Sequence, residues 1–297
     1  MPMYKVAALL TIHNRKEKTL SCLEALYHSA ATTDLPHELS VFVTDDGCTD
    51  GSVEAIRARF PDVKIIQGNG ELFWAEGMRM AWKEAMKCKF DLYLLLNDDT
   101  LLDSQALNLL LQGHKDCLKI EKRPGIYVGA TKSAIHNKLT YSGSKILNRF
   151  LYTQRRLAPN GSYQSCELAN ANIMMVPHDV TKTIGILRSG YAHGVADYDY
   201  SLTAIEHNVP VLVMPEYCGI CENDHKDKYA IFVTKDLEGR KEYLYSPLGF
   251  DFRSRLKFVK RFFPYRYPFV LIIGKMKVLF PELYLKLFSG RFNKAIK

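Results

Sequence analysis

Four short apolar runs, each stopping at a polar cluster, limit what this chain can fold into more than any other feature. Residues 6–12 (Val6, Ala7, Ala8, Leu9, Leu10, Thr11, Ile12) run without interruption into His13-Asn14-Arg15. Residues 39–43 run into Asp45-Asp46-Gly47, residues 63–66 into a glycine-punctuated loop, and residues 91–96 into Asn97-Asp98-Asp99. Short apolar runs without alternation are the pattern of strands buried on both faces. Helical spacings separate them: Leu20, Leu23, Leu26 and Tyr27 after the first, Val53, Ile56 and Phe60 after the second, and a helix over about 75–87 after the third. Strands alternating with helices in this way predict βαβ units, right-handed crossovers and an α/β fold with a mostly parallel central sheet flanked by helices. In such sheets ligands bind beyond the carboxyl ends of the strands, and the polar clusters fall there. After about Asp103 the alternation weakens. Residues 124–250 mix short strands (126–128, 173–175, 211–214) with loops, which predicts a second half built onto the sheet edge. No internal repeat or low-complexity linker interrupts the chain.

Charge divides the molecule differently. The formal net charge is +8, yet residues 251–297 alone carry +10 and the first 250 residues carry −2. A nucleic-acid binder should place its basic surface on the folded body, so that class is excluded. With 47% hydrophobic and 24% charged residues, the chain is globular and not disordered. The start, Met1 to Lys5, reads straight into the first strand with no signal peptide, and no uncharged apolar run reaches the ~18–20 residues of a bilayer span. Seven scattered cysteines, an odd number, are read as reduced thiols of a cytoplasmic protein. Cys218 and Cys221 form a CxxC without a second pair, which predicts two thiols in a loop in preference to zinc.

The basic tail interleaves cations with aromatics over 252–263 and continues, broken by Pro264, Pro268, Gly274 and Pro281, to about Lys286. Basic amphipathic helices of this kind lie on anionic membrane surfaces. A peripheral location at the inner face of the plasma membrane is the expectation. Packing on the catalytic body or on a second subunit, in a homodimer, is the alternative.

Four constellations carry the chemistry. Asp45-Asp46 ends the second strand, where a carboxylate can accept from a pyrimidine N3–H or a ribose hydroxyl; taken alone, the pair reads as a turn before Gly47 and a cap for the next helix. Asp98 and Asp99 end a fully apolar strand, where adjacent carboxylates repel unless a cation neutralises them. Mg²⁺ or Mn²⁺, completed by waters and diphosphate oxygens, would serve; a helix cap is the alternative, and the apolar run before the pair favours the metal. Asp197 and Asp199 follow a Gly-containing turn at a helix start, and either could deprotonate an acceptor hydroxyl or cap that helix. His225, in the loop Glu222-Asn223-Asp224-His225-Lys226, could complete a divalent-metal site.

These segments resemble the family 2 glycosyltransferases of the GT-A fold. The resemblance rests on Thr11-Ile12-His13-Asn14-Arg15, Val43-Thr44-Asp45-Asp46-Gly47-Cys48-Thr49-Asp50-Gly51 and Leu95-Leu96-Asn97-Asp98-Asp99. Residues 68–78, with Asn69 and Trp74, are similar to a stretch of the bacterial rhamnosyltransferase-like members, and Asn172 to Pro177, Ile184-Gly185 and Asp197-Tyr198-Asp199-Tyr200 fit its later part. The chain departs from the family pattern at Thr44, Cys48, Asn97, Ala196 and Thr203. The resemblance covers roughly residues 4–230. It implies a catalytic domain over 1–250, with a nucleotide-sugar-binding half (1–123) and an acceptor half (124–250), followed by the tail at 251–297.

It further implies an inverting transfer of one sugar from a dTDP- or UDP-linked donor, dTDP-rhamnose first, to a hydroxyl of a saccharide or lipid-diphosphate-linked acceptor in cell-surface polysaccharide synthesis. Thr11, Asn14, Arg15, Asp45, Asn69, Trp74, Asn97 and Asp98 would line the nucleotide-sugar site. Asp99 and His225 would hold Mg²⁺ or Mn²⁺, and Asp197, with Asp199 as the alternative, would be the base. Inversion needs the base and the leaving group on opposite faces of the anomeric carbon, so the base must come from a different stretch than the metal site. A nucleotidyltransferase should carry a glycine-rich loop after the first strand, which His13-Asn14-Arg15-Lys16 lacks. A non-catalytic sugar-binding or scaffold module, whose acidic strand ends are only caps, is the other rival.

Overall fold

The structure is a computed structural model that describes residues 3–223 and 228–292. The chain begins β1 (Tyr4–Ile12), α1 (Lys16–Ala31), β2 (His37–Asp45), α2 (Ser52–Arg59), β3 (Lys64–Gln67), α3 (Phe73–Ala85) and β4 (Leu92–Leu96). These four strands stand in the order β3-β2-β1-β4 and every pairing among them is parallel. The expected α/β fold, a central sheet flanked by helices, is present.

Next come β5 (Leu101–Leu102), α4 (Ala106–Glu121), β6 (Ile126–Lys132), β7 (Leu139–Tyr141), β8 (Ser144–Asn148), β9 (Thr153–Arg156), β10 (Gln164–Ser165), β11 (Ile173–Pro177), α5 (His178–Ile184), α6 (Ala196–Glu206) and β12 (Val211–Ile220). Here the sheet becomes mixed. β11 inserts antiparallel between β4 and β6, whereas β12 runs parallel to β6. This is the structural form of the weakened alternation after Asp103: consecutive segments no longer occupy adjacent places in the sheet.

The unbroken apolar run of β1 is explained by its neighbours. Successive side chains of a strand point to opposite faces. Val6, Ala8, Leu10 and Ile12 therefore join a core with Leu20, Leu23 and Leu26 of α1 and Leu107, Leu110 and Leu111 of α4. Ala7 and Leu9 join a second core with Met78, Ala81 and Trp82 of α3 and Tyr200 of α6. α3 comes very close to the sheet. A Cβ built on Gly77 would sit 2.4 Å from Thr11 Cγ2, and Thr44 Oγ1–H donates to Gly77 O at 2.8 Å. Glycine at 77 is a packing requirement that places the start of α3, and with it Trp74, over the end of β1.

A second compact unit combines residues 191–195 with the described residues from 228 onward. It holds α7 (Lys228–Val233), α8 (Leu237–Tyr245), α9 (Phe252–Phe262), a 3₁₀ turn (Pro264–Arg266), α10 (Tyr267–Leu279) and α11 (Pro281–Phe292). Phe250 binds the unit together: its ring lies 5.2 Å from Phe232, 5.7 Å from Tyr243 and 4.7 Å from Tyr229. The boundary expected at 251 therefore falls inside this unit, because the aromatic residues of α7 and α8 form a core with the C-terminal helices.

Candidate active site

The ends of β1, β2 and β4 are tied together by hydrogen bonds that start in the loop after β1. Asn14 occupies the left-handed region (φ 49°), a conformation asparagine tolerates better than most residues. There its Oδ1 accepts from Thr49 N at 2.7 Å. His13 Nδ1 lies 2.6 Å from Asp46 O, and Lys16 N donates to Asp50 Oδ2 at 2.9 Å. The two buried carboxylates after β2 have distinct tasks. Asp45 Oδ1 accepts from Cys48 N at 2.8 Å, closing its own turn. Asp46 accepts from Gly70 N (2.9 Å), Leu72 N (3.1 Å) and Phe73 N (2.8 Å). Asp46 thus organises the loop before α3 and satisfies backbone donors at the start of that helix, which would otherwise lack partners. Asn69 belongs to this loop; it is exposed, and its Oδ1 accepts from Glu71 N at 3.0 Å.

Arg15 joins the β1 end to the β4 end. Its guanidinium donates to Asp98 Oδ1 at 2.5 Å and to Asp99 Oδ2 at 2.7 Å. Thr19 Oγ1–H approaches Asp98 Oδ2 at 3.4 Å. Asp98 is buried, and burial pushes its carboxyl up to about 6, with Arg15 pulling the other way and Asp99 adding to the rise. Asp99 is less enclosed, its side chain 15% exposed. The cation that the paired carboxylates require is supplied in this structure by the protein's own arginine.

Asn97 uses its amide in both directions. Oδ1 accepts from Trp74 Nε1–H at 2.8 Å, and Nδ2 donates to Asn172 Oδ1 at 3.1 Å. A carboxylate at 97 could accept from Trp74 but could not donate to Asn172. The backbone repeats the connection: Asn97 N donates to Asn172 O at 3.0 Å, and Thr100 N closes the turn onto Asn97 O at 3.1 Å. Thr11 touches the same corner, its Oγ1 3.4 Å from Trp74 O.

Asn172 leads into β11, and the segment before it reaches Asp197. Asp197 Oδ2 accepts from Ala171 N at 3.2 Å, and Oδ1 from Tyr198 N at 2.8 Å. Burial pushes the Asp197 carboxyl up to about 6; these N–H donors oppose the rise. The chain from Asp197 through Ala171 and Asn172 to Asn97 brings the start of α6 to the turn that holds Asp98 and Asp99.

Asp199 is placed elsewhere. It is 1% exposed, and its Oδ1 lies 3.6 Å from Arg188 Nε. It lines a cavity of about 310 Å³ together with Arg79, Arg188, Ser189, Tyr200 and Thr203. Two positions along a helix turn a side chain through roughly 200°, so Asp197 and Asp199 face different surroundings. His225 lies outside the described residues.

Sequence reasoning missed the roles of Asn172, Thr19 and Cys221 at this turn. Cys221 Sγ sits 3.7 Å from Asp99 Oδ1 and accepts from Asn172 Nδ2 at 3.2 Å. Burial, reinforced by the Asp99 carboxylate, pushes its thiol up to about 12. Cys218 instead packs in the core with Leu102 and Met214. Among the described residues no group of three or more His, Cys, Asp or Glu side chains is disposed to hold a metal ion by itself. The early signals for Asn172 were its position just before an apolar run and its place in a segment that carries the resemblance; its pairing with β4 could not be read from spacing.

No family model matches the chain, and no curated protein matches its sequence. Solved structures do match its fold. The mannosyltransferase PcManGT from Pyrobaculum calidifontis, in complex with GDP-Man and Mn²⁺, aligns with a TM-score of 0.54 at 11% identity, over 100% of this chain and 82% of that one. S. aureus TarS 1–349 in complex with UDP aligns with a TM-score of 0.52 at 16% identity, over 88% of this chain and 72% of that one. The same fragment in complex with UDP-GlcNAc gives 0.50 at 14% identity, over 88% and 73%. The chain has the fold of these glycosyltransferases.

Proposed function

We propose that this protein is an inverting glycosyltransferase that moves one sugar from a nucleotide-sugar donor to a hydroxyl of a saccharide or lipid-diphosphate-linked acceptor. The observation that carries the reading is the linkage from Asp197 through Ala171 and Asn172 to Asn97. It puts a half-buried carboxylate of raised proton affinity beside the acidic turn at the end of β4, from a separate stretch of chain. A carboxyl pushed up to about 6 is mostly ionised at neutral pH yet basic enough to take a proton from a hydroxyl as it attacks. Asp197 is therefore the base, and Asp199, paired with Arg188, is a positioning residue of α6.

On the donor side, Asn14 and Asp45 line the end of β2, and Trp74 and Asn97 line the end of β4. Arg15 connects the two, and its guanidinium is suited to a diphosphate. The residues present fit Mg²⁺ or Mn²⁺ in the manner expected for such ions: one partly exposed carboxylate, Asp99, which holds Arg15 through Oδ2 alone, with the remaining positions left to water and diphosphate oxygens. Asp98 is committed to Arg15 and Thr19, and Asn97 Oδ1 to Trp74. When bound, the ion would offset the charge that develops on the departing nucleoside diphosphate. Structural relatives in complex with GDP-Man, UDP and UDP-GlcNAc support a nucleotide-sugar donor. The rhamnosyltransferase-like segment at 68–78 makes dTDP-rhamnose the first donor to try, and a UDP-hexose the second.

The deciding experiment is a panel of nucleotide-sugars screened for acceptor-dependent release of nucleoside diphosphate, with Mn²⁺ and with excess EDTA. Transfer from a dTDP- or UDP-linked sugar that stops in EDTA is expected. Turnover unchanged by EDTA would remove the metal from the reading, and absence of nucleotide binding by calorimetry would favour a scaffold.

A further inference from the structure

In the second unit, α9 directs its apolar face inward: Phe252, Phe258, Val259 and Phe262 are all buried. The amphipathic face expected to meet a membrane over 252–263 is thus consumed by the unit's own core. α10 and α11 differ. Phe269, Ile272 and Leu279 on α10 and Leu283 and Leu287 on α11 are 48% to 63% exposed. Their spacing within each helix keeps them on one side, opposite the buried Val270, Gly274 and Val278. Phe280, at the break between the helices, is 58% exposed. Lys275 and Lys286 stand exposed beside these side chains, and Arg253, Arg255 and Lys260 are exposed on α9. Glu282 is the only acidic residue from 252 to 292.

Exposed apolar side chains set among cations need a partner that is apolar within and anionic at its boundary. A second copy of the chain fits poorly, because face-to-face contact would oppose two segments that each carry a net +10. No helix among the described residues is long and apolar enough to cross a membrane. We infer that the exposed face of α10 and α11 docks on the surface of an anionic lipid bilayer, its apolar side chains reaching the boundary of headgroups and acyl chains and its cations meeting lipid phosphate. This surface stands independently of the transfer reading, since it uses no residue of the candidate active site.

The test is co-sedimentation of the full chain with vesicles of neutral phosphatidylcholine alone or mixed with phosphatidylglycerol, at low and at high salt. Binding to the anionic vesicles that weakens with salt is expected. Replacing Lys275 and Lys286 together by Ala should weaken it by roughly thirtyfold, at about a fivefold loss for each basic residue near the surface. The pair Phe269→Ser and Ile272→Ser should abolish it, while circular dichroism and nucleotide-diphosphate binding remain those of the parent chain. Equal binding to neutral and anionic vesicles, or none to either, would overturn the proposal. So would a lipid-free dimer that the Phe269/Ile272 pair dissociates, which would assign the face to a second copy.

Discussion

The turn at the end of β4 and the C-terminal helices both gather charge of one sign, yet they handle it in opposite ways. At Asn97-Asp98-Asp99 the charge is turned inward: Asp98 is buried, and Arg15 and Thr19 are brought from other parts of the chain to meet it. On α9 to α11 Arg253, Arg255, Lys260, Lys275 and Lys286 are exposed, and on α10 and α11 apolar side chains are exposed beside them. Inward charge must be matched group by group, since an unmatched buried carboxylate is costly. Outward charge is solvated where it stands and needs a partner only for its long-range field. The first arrangement suits selective chemistry on a small anionic ligand, and the second suits adhesion to an extended surface.

The largest effect should come from the carboxylate that the inward arrangement brings to the turn. Asp197→Asn is expected to lower transfer by about 10²- to 10⁴-fold, the usual contribution of a positioned base, while calorimetry still detects nucleotide diphosphate. Asp199→Asn should lower it far less; the reverse order would exchange their roles. The rate of transfer should rise with pH through about 6 as Asp197 loses its proton. Its folded-state value lies above the unfolded one, so its stability contribution is fully present only at low pH and is lost as pH rises toward about 6. Asp197→Asn should therefore flatten the fall in stability between about pH 4 and pH 6 while it removes activity. A variant that keeps the parent's pH dependence of stability would break the comparison.

Gly77→Ala tests the close approach that places Trp74. With Thr11 in the way, it should cost about 1–3 kcal/mol in denaturant melts. Arg15→Ala removes the partner of Asp98 and Asp99 and should cost about 1–2 kcal/mol at neutral pH, a value tempered by the arginine's partial exposure. That loss should shrink below pH 5, where Asp98 accepts a proton.

The smallest effect concerns a cation of the second unit that is not left in water. Lys277 Nζ donates to Tyr229 Oη at 2.6 Å and lies 4.6 Å to 5.0 Å from the ring centres of Phe250, Tyr229 and Tyr284. Burial pushes its ammonium down to about 7. A depressed lysine contributes stability that is present above its unfolded value and lost as pH falls through the folded one. Full-chain melts should thus improve by about 1 kcal/mol from pH 7 to pH 9, and Lys277→Met should flatten that dependence.

Much of the first half was legible in the sequence because its information is local. Each apolar run, its terminal cluster and the helix after it lie within about thirty residues, the span of one βαβ unit. That is why β1 to β4 and the clusters at 13–15, 45–46 and 97–99 stand where periodicity placed them. The turn expected before Gly47 is present, closed by Asp45 on Cys48 N, but Asp46 caps backbone donors ahead of α3 and not the next helix, α2. What stayed hidden was non-local. Asn172 matters because β11 enters the sheet antiparallel beside β4, and no spacing announces a strand inserted between partners distant in sequence.

The amino-acid sequence by itself determined a layered α/β protein whose acidic strand ends need a counter-charge, and whose positive charge lies near one end of the chain. Strand periodicity and net charge are sums over neighbouring residues, so they can be read without coordinates. Tertiary structure alone decided which groups meet. It gave Asp98 and Asp99 to Arg15, brought Asp197 and not Asp199 toward the turn, and buried the face of α9 while leaving that of α10 and α11 exposed. Those outcomes depend on where separate segments cross, and a chain specifies crossings only through the packing of the whole.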